Sequence, residues 1–115
     1  MANTVTLLAD HKGMTTPRVH GDEYFVDAYI VVTTATSGGE VVAASSLGLS
    51  RVNAVLLTGN SLPATYDVDV EISATGAYES GTSFALLFTA MDGTNAAATG
   101  NITDTTVRVR VYGVL

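Results

Sequence analysis

Seven residues in the middle of the chain, Tyr66-Asp-Val-Asp-Val-Glu-Ile72, alternate without a break between apolar and acidic. Neighbouring side chains on a strand point to opposite faces. Tyr66, Val68, Val70 and Ile72 therefore line one face, and Asp67, Asp69 and Glu71 the other. The pattern returns at Val107-Arg-Val-Arg-Val111, with valines inward and Arg108 and Arg110 outward, and at Ser83 to Thr89, where Phe84, Leu86 and Phe88 share a face. Tyr24 to Thr34, Val41 to Ala43 and Val52 to Leu57 are less regular but rich in β-branched and aromatic residues. Thr4 to Leu8 adds a candidate edge strand. Gly and Asn turn signals separate these runs, and no segment carries a sustained helical stripe. The sequence predicts an all-β protein, an antiparallel β-sandwich of jelly-roll-like kind.

A chain of 115 residues is one domain. Only 14% of its residues are charged, against about 25% in a typical domain. Thr, Ser, Ala and Gly take their place, which suits strands whose outer faces carry hydroxyls. The net charge of −6 opposes binding to phosphate backbones and to anionic membrane surfaces, so neither nucleic acid nor a membrane is an expected partner. The absence of cysteine removes disulfides and thiolate chemistry. The first residues, "MANTVTLLADHKG", have no basic segment ahead of their apolar run, so no signal peptide is expected, and no apolar stretch is long enough to cross a bilayer.

Residues 9 to 22, "ADHKGMTTPRVHGD", break the alternation and hold both histidines and the only lysine. With the first strand they read as an extended N-terminal arm or edge strand over 1–22, ahead of a sandwich over 23–115. An arm across a neighbouring subunit and a long loop over the chain's own sandwich are both open readings. His11, Lys12, Met14, Pro17 and Arg18 are the candidate residues of this segment for contact with another protein or subunit.

"AASSLGLS", residues 43–50, sits between two apolar runs and raises the question of a serine nucleophile. A nucleophile elbow needs Gly-x-Ser-x-Gly between a strand and a helix. That spacing is absent, and His11 and His20 both lie in the irregular segment. Ser45, Ser46, Leu47, Gly48 and Leu49 instead read as a structural corner. In it a serine bonds to backbone N–H groups, the leucines plug the core and Gly48 permits the tight turn. No enzyme, metal site or cofactor is expected.

Asp67, Asp69 and Glu71 stand about 7 Å apart along their strand, too spread to converge on one cation. Arg108 and Arg110 have the same spacing. Were the two strands neighbours, the five residues would form a charge ladder worth a few tenths of a kcal/mol per pair. A solvated face, or a contact with basic residues of another subunit, are the other readings of the acidic row.

Three stretches in order, "GEVVAASSLGLSRVNAVLLTGN", "ATYDVDVEIS" and "ITDTTVRVRVYGVL", resemble small virion structural proteins of tailed bacteriophages, the capsid decoration or cement proteins. In that family a strand enters an Ala-Ser-x-Leu-Gly-Leu-Ser corner, a Val-rich strand and a Tyr-Asp strand follow, and an Asp-Thr-Thr-Val-type strand closes the chain. The resemblance spans residues 23 to 115. It implies a β-sandwich on the capsid surface of the virion with no active site to transfer. Its partners would be the major capsid protein and further copies of itself, as a trimer or dimer. A tail or head-fibre component that binds the host surface is the alternative on the same scaffold.

Overall fold

The computed structural model describes residues 3–35, 39–72, 81–93 and 96–115. In chain order the elements are β1 (Asn3–Leu7), β2 (Arg18–His20), β3 (Glu23–Ala35), β4 (Glu40–Ala43), a 3-10 turn (Ala44–Leu47), β5 (Arg51–Asn60), β6 (Tyr66–Ile72), β7 (Ser83–Ala90) and β8 (Gly100–Val114). One sheet has the order β1-β3-β8-β5, with β2 also on β3, and the other has β4-β7-β6. Every pairing is antiparallel.

The consecutive strands β7 and β8 are the centres of their respective sheets. β3 and β4 flank them on one side, β5 and β6 on the other, so the chain changes sheet at β3–β4, β4–β5, β5–β6 and β7–β8. This winding is of the jelly-roll kind expected from the sequence. The alternation sorts the core as read. Val107, Val109 and Val111 of β8 lie beside Val26, Ala28, Ile30 and Val32 of β3 in one sheet, and are buried in one core with Phe84, Leu86 and Phe88 of β7 in the other. On β6, Tyr66 and Val68 are buried while Asp67, Asp69 and Glu71 are exposed.

The strands that alternate least cleanly owe this to two causes. β5 carries two register shifts, between Val52 and Ala54 and between Leu57 and Gly59. Each extra residue resets the parity, so Val52 and Val55 pack on the core at a spacing of three, while Leu57 remains 40% exposed. Bulges on an edge strand also make it a poor template for another chain. β3 instead keeps apolar residues on both faces, Val26 and Ile30 inward and Phe25 and Tyr29 outward, for a reason that lies in the site described next.

The "AASSLGLS" segment is the corner the sequence indicates. It carries the chain from β4 in one sheet to β5 in the other. Leu47 and Leu49 are buried and Ser45 and Ser46 are exposed. The bonds that close the turn differ from expectation: they run from Gly48 N–H to the Ser45 carbonyl (3.2 Å) and from Leu49 N–H to the Ala44 carbonyl (3.1 Å), not to a serine hydroxyl. Gly48 has φ +78°, the left-handed conformation that a side chain disfavours.

Candidate contact surface

β1 and β2 lie end to end along one edge of β3. Leu7 faces Ala28 and Arg18 faces Phe25, so the chain from Leu8 to Pro17 leaves and returns across a gap of only two partner positions, Val26 and Asp27. The N-terminal segment is thereby tied to its own sheet as an edge strand, and its irregular part is a projecting loop. Two of the contacts at the loop's base are made by Asp27. Its carbonyl accepts the Leu8 N–H at 2.9 Å, and its carboxylate accepts Arg18 Nη2 at 2.9 Å.

Asp27 is the pivot of a larger cluster on the outer face of the β3–β8 sheet. Arg110, directly across on β8, donates Nε to Oδ1 at 2.7 Å and Nη2 to Oδ2 at 2.8 Å. Both guanidiniums also lie over the Phe25 ring, Arg18 at 4.5 Å and Arg110 at 4.6 Å from its centre. His20 and Tyr112 pack edge-on against each other at 5.6 Å and flank the same ring. Asp27 is only 7% exposed. Its carboxyl is held below the ordinary range chiefly by the Arg110 hydrogen bonds, with Arg18 adding to them and burial opposing them. Arg110 is correspondingly held more firmly protonated, first by its bonds to Asp27. These stacked arginines explain why β3 keeps an aromatic on its outer face.

The loop itself is folded around Asp10. Its Oδ1 accepts the N–H groups of Lys12 (2.8 Å) and Met14 (3.0 Å), and its own N–H donates to the Met14 carbonyl (2.9 Å). Those backbone bonds, Met14 first and then Lys12, hold the Asp10 carboxyl below its usual range. His11, Lys12 and Met14 are left exposed at the tip, Met14 by 53%. Pro17 turns back toward the corner, where a side chain on Gly48 would lie 3.4 Å from its ring.

Of the residues singled out from the sequence, the structure gathers His11, Lys12 and Met14 on one loop and draws Arg18 into an ion pair within the chain. It does not gather the charge ladder. Asp67, Asp69 and Glu71 lie on β6, whose described strand partner is β7, while Arg108 and Arg110 lie on β8 in the other sheet. That expectation is corrected, because the inward valines of β6 and β8 face each other across the core and so point the two charged rows in opposite directions. Asp27, Phe25 and Tyr112 were missed. A signal existed: Asp27 is the only charged residue in the run from Tyr24 to Thr34, and a charge inside an apolar strand needs a cation close by.

Beside this cluster a shallow groove of about 520 Å³ is lined by Leu8, Ala9, Tyr29, Thr106 and Arg108. Among the described residues, no group of three or more His, Asp and Glu gathers into a metal-binding arrangement. Compared with protein-family models, with curated proteins and with solved structures, the chain gives no match in any of the three.

Proposed function

We propose that the chain is a capsid decoration (cement) protein of a tailed bacteriophage, which attaches to the outside of the major capsid lattice and stabilises the head. The observation that carries this reading is the Leu8–Pro17 loop, a protrusion braced at its base by Asp27 and self-closed around Asp10. It presents a cation, a histidine and an exposed methionine from an otherwise acidic sandwich. A thioether adapts to irregular apolar surfaces, and a lysine suits an acidic one. The resemblance of residues 23 to 115 to virion structural proteins supplies the partner class. A small contact repeated over a lattice gains strength through avidity rather than through any single interface.

The test is a phage deleted for the protein. Its heads should assemble but rupture more readily on heating or osmotic shock, and adding back the purified chain should restore them. A chain with Lys12→Glu and Met14→Ser should occupy heads poorly while folding normally. Heads that are equally robust without the protein, on particles that fail to adsorb to cells, would refute the decoration role. That result would favour the tail or head-fibre alternative.

A further inference from the structure

The outer faces of the two sheets carry opposite charge. On the β3–β8 face, Arg18 and Arg110 share the single carboxylate of Asp27, whereas Arg108 is exposed and no carboxylate of the described residues pairs with it. Its neighbour across β8 on one side is Gly59, which has no side chain to cover it, and on the other side it is Tyr29. Arg108 thus stands at the wall of the groove whose apolar lining is Leu8, Ala9 and Tyr29.

The opposite side of the sandwich shows the complementary lack. Asp67, Asp69 and Glu71 are exposed at alternate positions of β6, and their partners across β7 are Thr89, Leu87 and Ala85. None of these is a cation, and among the described residues no Lys, Arg or His forms an ion pair with the row. Like charges at two-residue spacing repel one another, and a guanidinium placed among them removes that repulsion. Leu87, half-buried and directly across from Asp69, sets apolar surface beside the middle carboxylate.

We infer that the two faces dock on each other in successive copies of this chain. The groove at Arg108 receives the β6 row of a second copy, with Asp69 on the Arg108 guanidinium and Leu87 against Tyr29 and Leu8. The contact is heterologous, because the two surfaces lie on opposite sides of one sandwich, so a bound pair still offers one free groove and one free acidic row. Assembly grows with concentration and weakens with salt. This inference stands apart from the capsid reading, since it concerns only how copies of the chain meet.

Sedimentation velocity of the full chain tests it. The mean mass should rise with protein concentration at low salt and fall back toward a single chain at about 0.5 M salt. Arg108→Asp alone and Asp69→Arg alone should each weaken association about tenfold or more, the scale of a charge-assisted hydrogen bond. An equimolar mixture of Asp69→Arg with Arg108→Gln, which leaves no ion pair at the second interface, should form a one-to-one complex that grows no further. In that mixture one variant still supplies the acidic row and the other still supplies the groove. Both residues are exposed, so near-ultraviolet dichroism should match the wild type. Arg108→Gln, which adds no charge, should repeat the loss if the negative charge at Arg108→Asp disturbs folding. The inference is overturned by any of three results: a wild-type chain that stays at single-chain mass over the whole range, association that survives either substitution or high salt, or variants that fail to pair when mixed. Head occupancy is read separately with Lys12→Glu and Met14→Ser, which leave Arg108 and Asp69 in place, so failure of this inference and failure of the decoration role are distinguishable.

Discussion

Replacing Asp27 with Asn keeps the side chain's size and one acceptor but removes the charge that two guanidiniums share. Three charge-assisted bonds of 2.7–2.9 Å are affected. Two limits bracket the cost. Exposed ion pairs contribute about 0.2–1 kcal/mol each, whereas stranding a buried charge costs about 3–5 kcal/mol. Here the carboxylate is buried, but Arg18 and Arg110 keep 29% and 38% of their side-chain surface exposed. They can turn to water when the carboxylate is lost, so the cost falls between the limits, at about 2–3 kcal/mol. For a chain of this size that corresponds to a drop of about 6–15 °C in melting temperature. The pH dependence identifies the cause. The Asp27 carboxyl titrates lower in the folded chain than in the unfolded one. Its contribution is therefore complete above the unfolded value of about 3.9 and disappears as pH falls through the lower folded value. Denaturant titrations of wild type and Asp27→Asn should differ most at neutral pH and converge in strong acid. A difference that persists undiminished at pH values well below the carboxylate range would refute the ionic account and leave a packing defect. The same variant should be nicked faster by trypsin after Lys12, because the base of the loop loses its tie to Arg18.

Gly113→Ala should be among the most damaging substitutions. A Cβ there would overlap the Arg51 carbonyl and lie 3.2 Å from Leu49 Cδ1, so β5 would have to move off β8. A loss of about 3 kcal/mol or more is expected in equilibrium unfolding. Leu47→Ala empties a fully buried position at the corner and should cost about 2–5 kcal/mol by the same assay. Ser45→Ala with Ser46→Ala in one chain should change stability by no more than about 0.5 kcal/mol, because the turn is closed by backbone bonds and both hydroxyls face solvent.

The strands legible in the sequence are those with one wet face. β6 and β8 alternate because solvent demands polar residues on one side and the core demands apolar residues on the other. β7, by contrast, is marked by its inward Phe84, Leu86 and Phe88 alone, with Ala85 and Leu87 on its outer face. β3 and β5 are blurred for different reasons, one by arginines that cover an aromatic on its outer face, the other by two extra residues. The partner of each strand was harder to read, and magnitudes explain why. A cross-strand charge pair contributes a few tenths of a kcal/mol to about 1 kcal/mol. Burying one Val, Leu or Phe contributes about 1.5–3 kcal/mol. Sheet membership is therefore decided by where Tyr66, Val68, Val107 and Val109 are buried, and the matched spacing of Asp67–Glu71 and Arg108–Arg110 carries no weight in that choice. Attractive charge patterns in a low-charge β protein are free to serve other contacts.

Asp27 gives the loop a property that a free arm lacks. Its backbone carbonyl holds Leu8 and its side chain holds Arg18, so the same residue of a core-lining strand fixes where the loop begins and where it ends. Asp10 then fixes the tip. A free arm that docked on a partner would give up about 1–2 kcal/mol of backbone entropy for each residue it ordered. For a loop already ordered by its own hydrogen bonds, most of that cost is met during folding. Few contacts would then be needed at Lys12 and Met14 in the proposed capsid contact. The connection also predicts that, in the proposed capsid contact, Asp27→Asn lowers head occupancy by loosening Lys12 and Met14, although Asp27 itself is only 7% exposed.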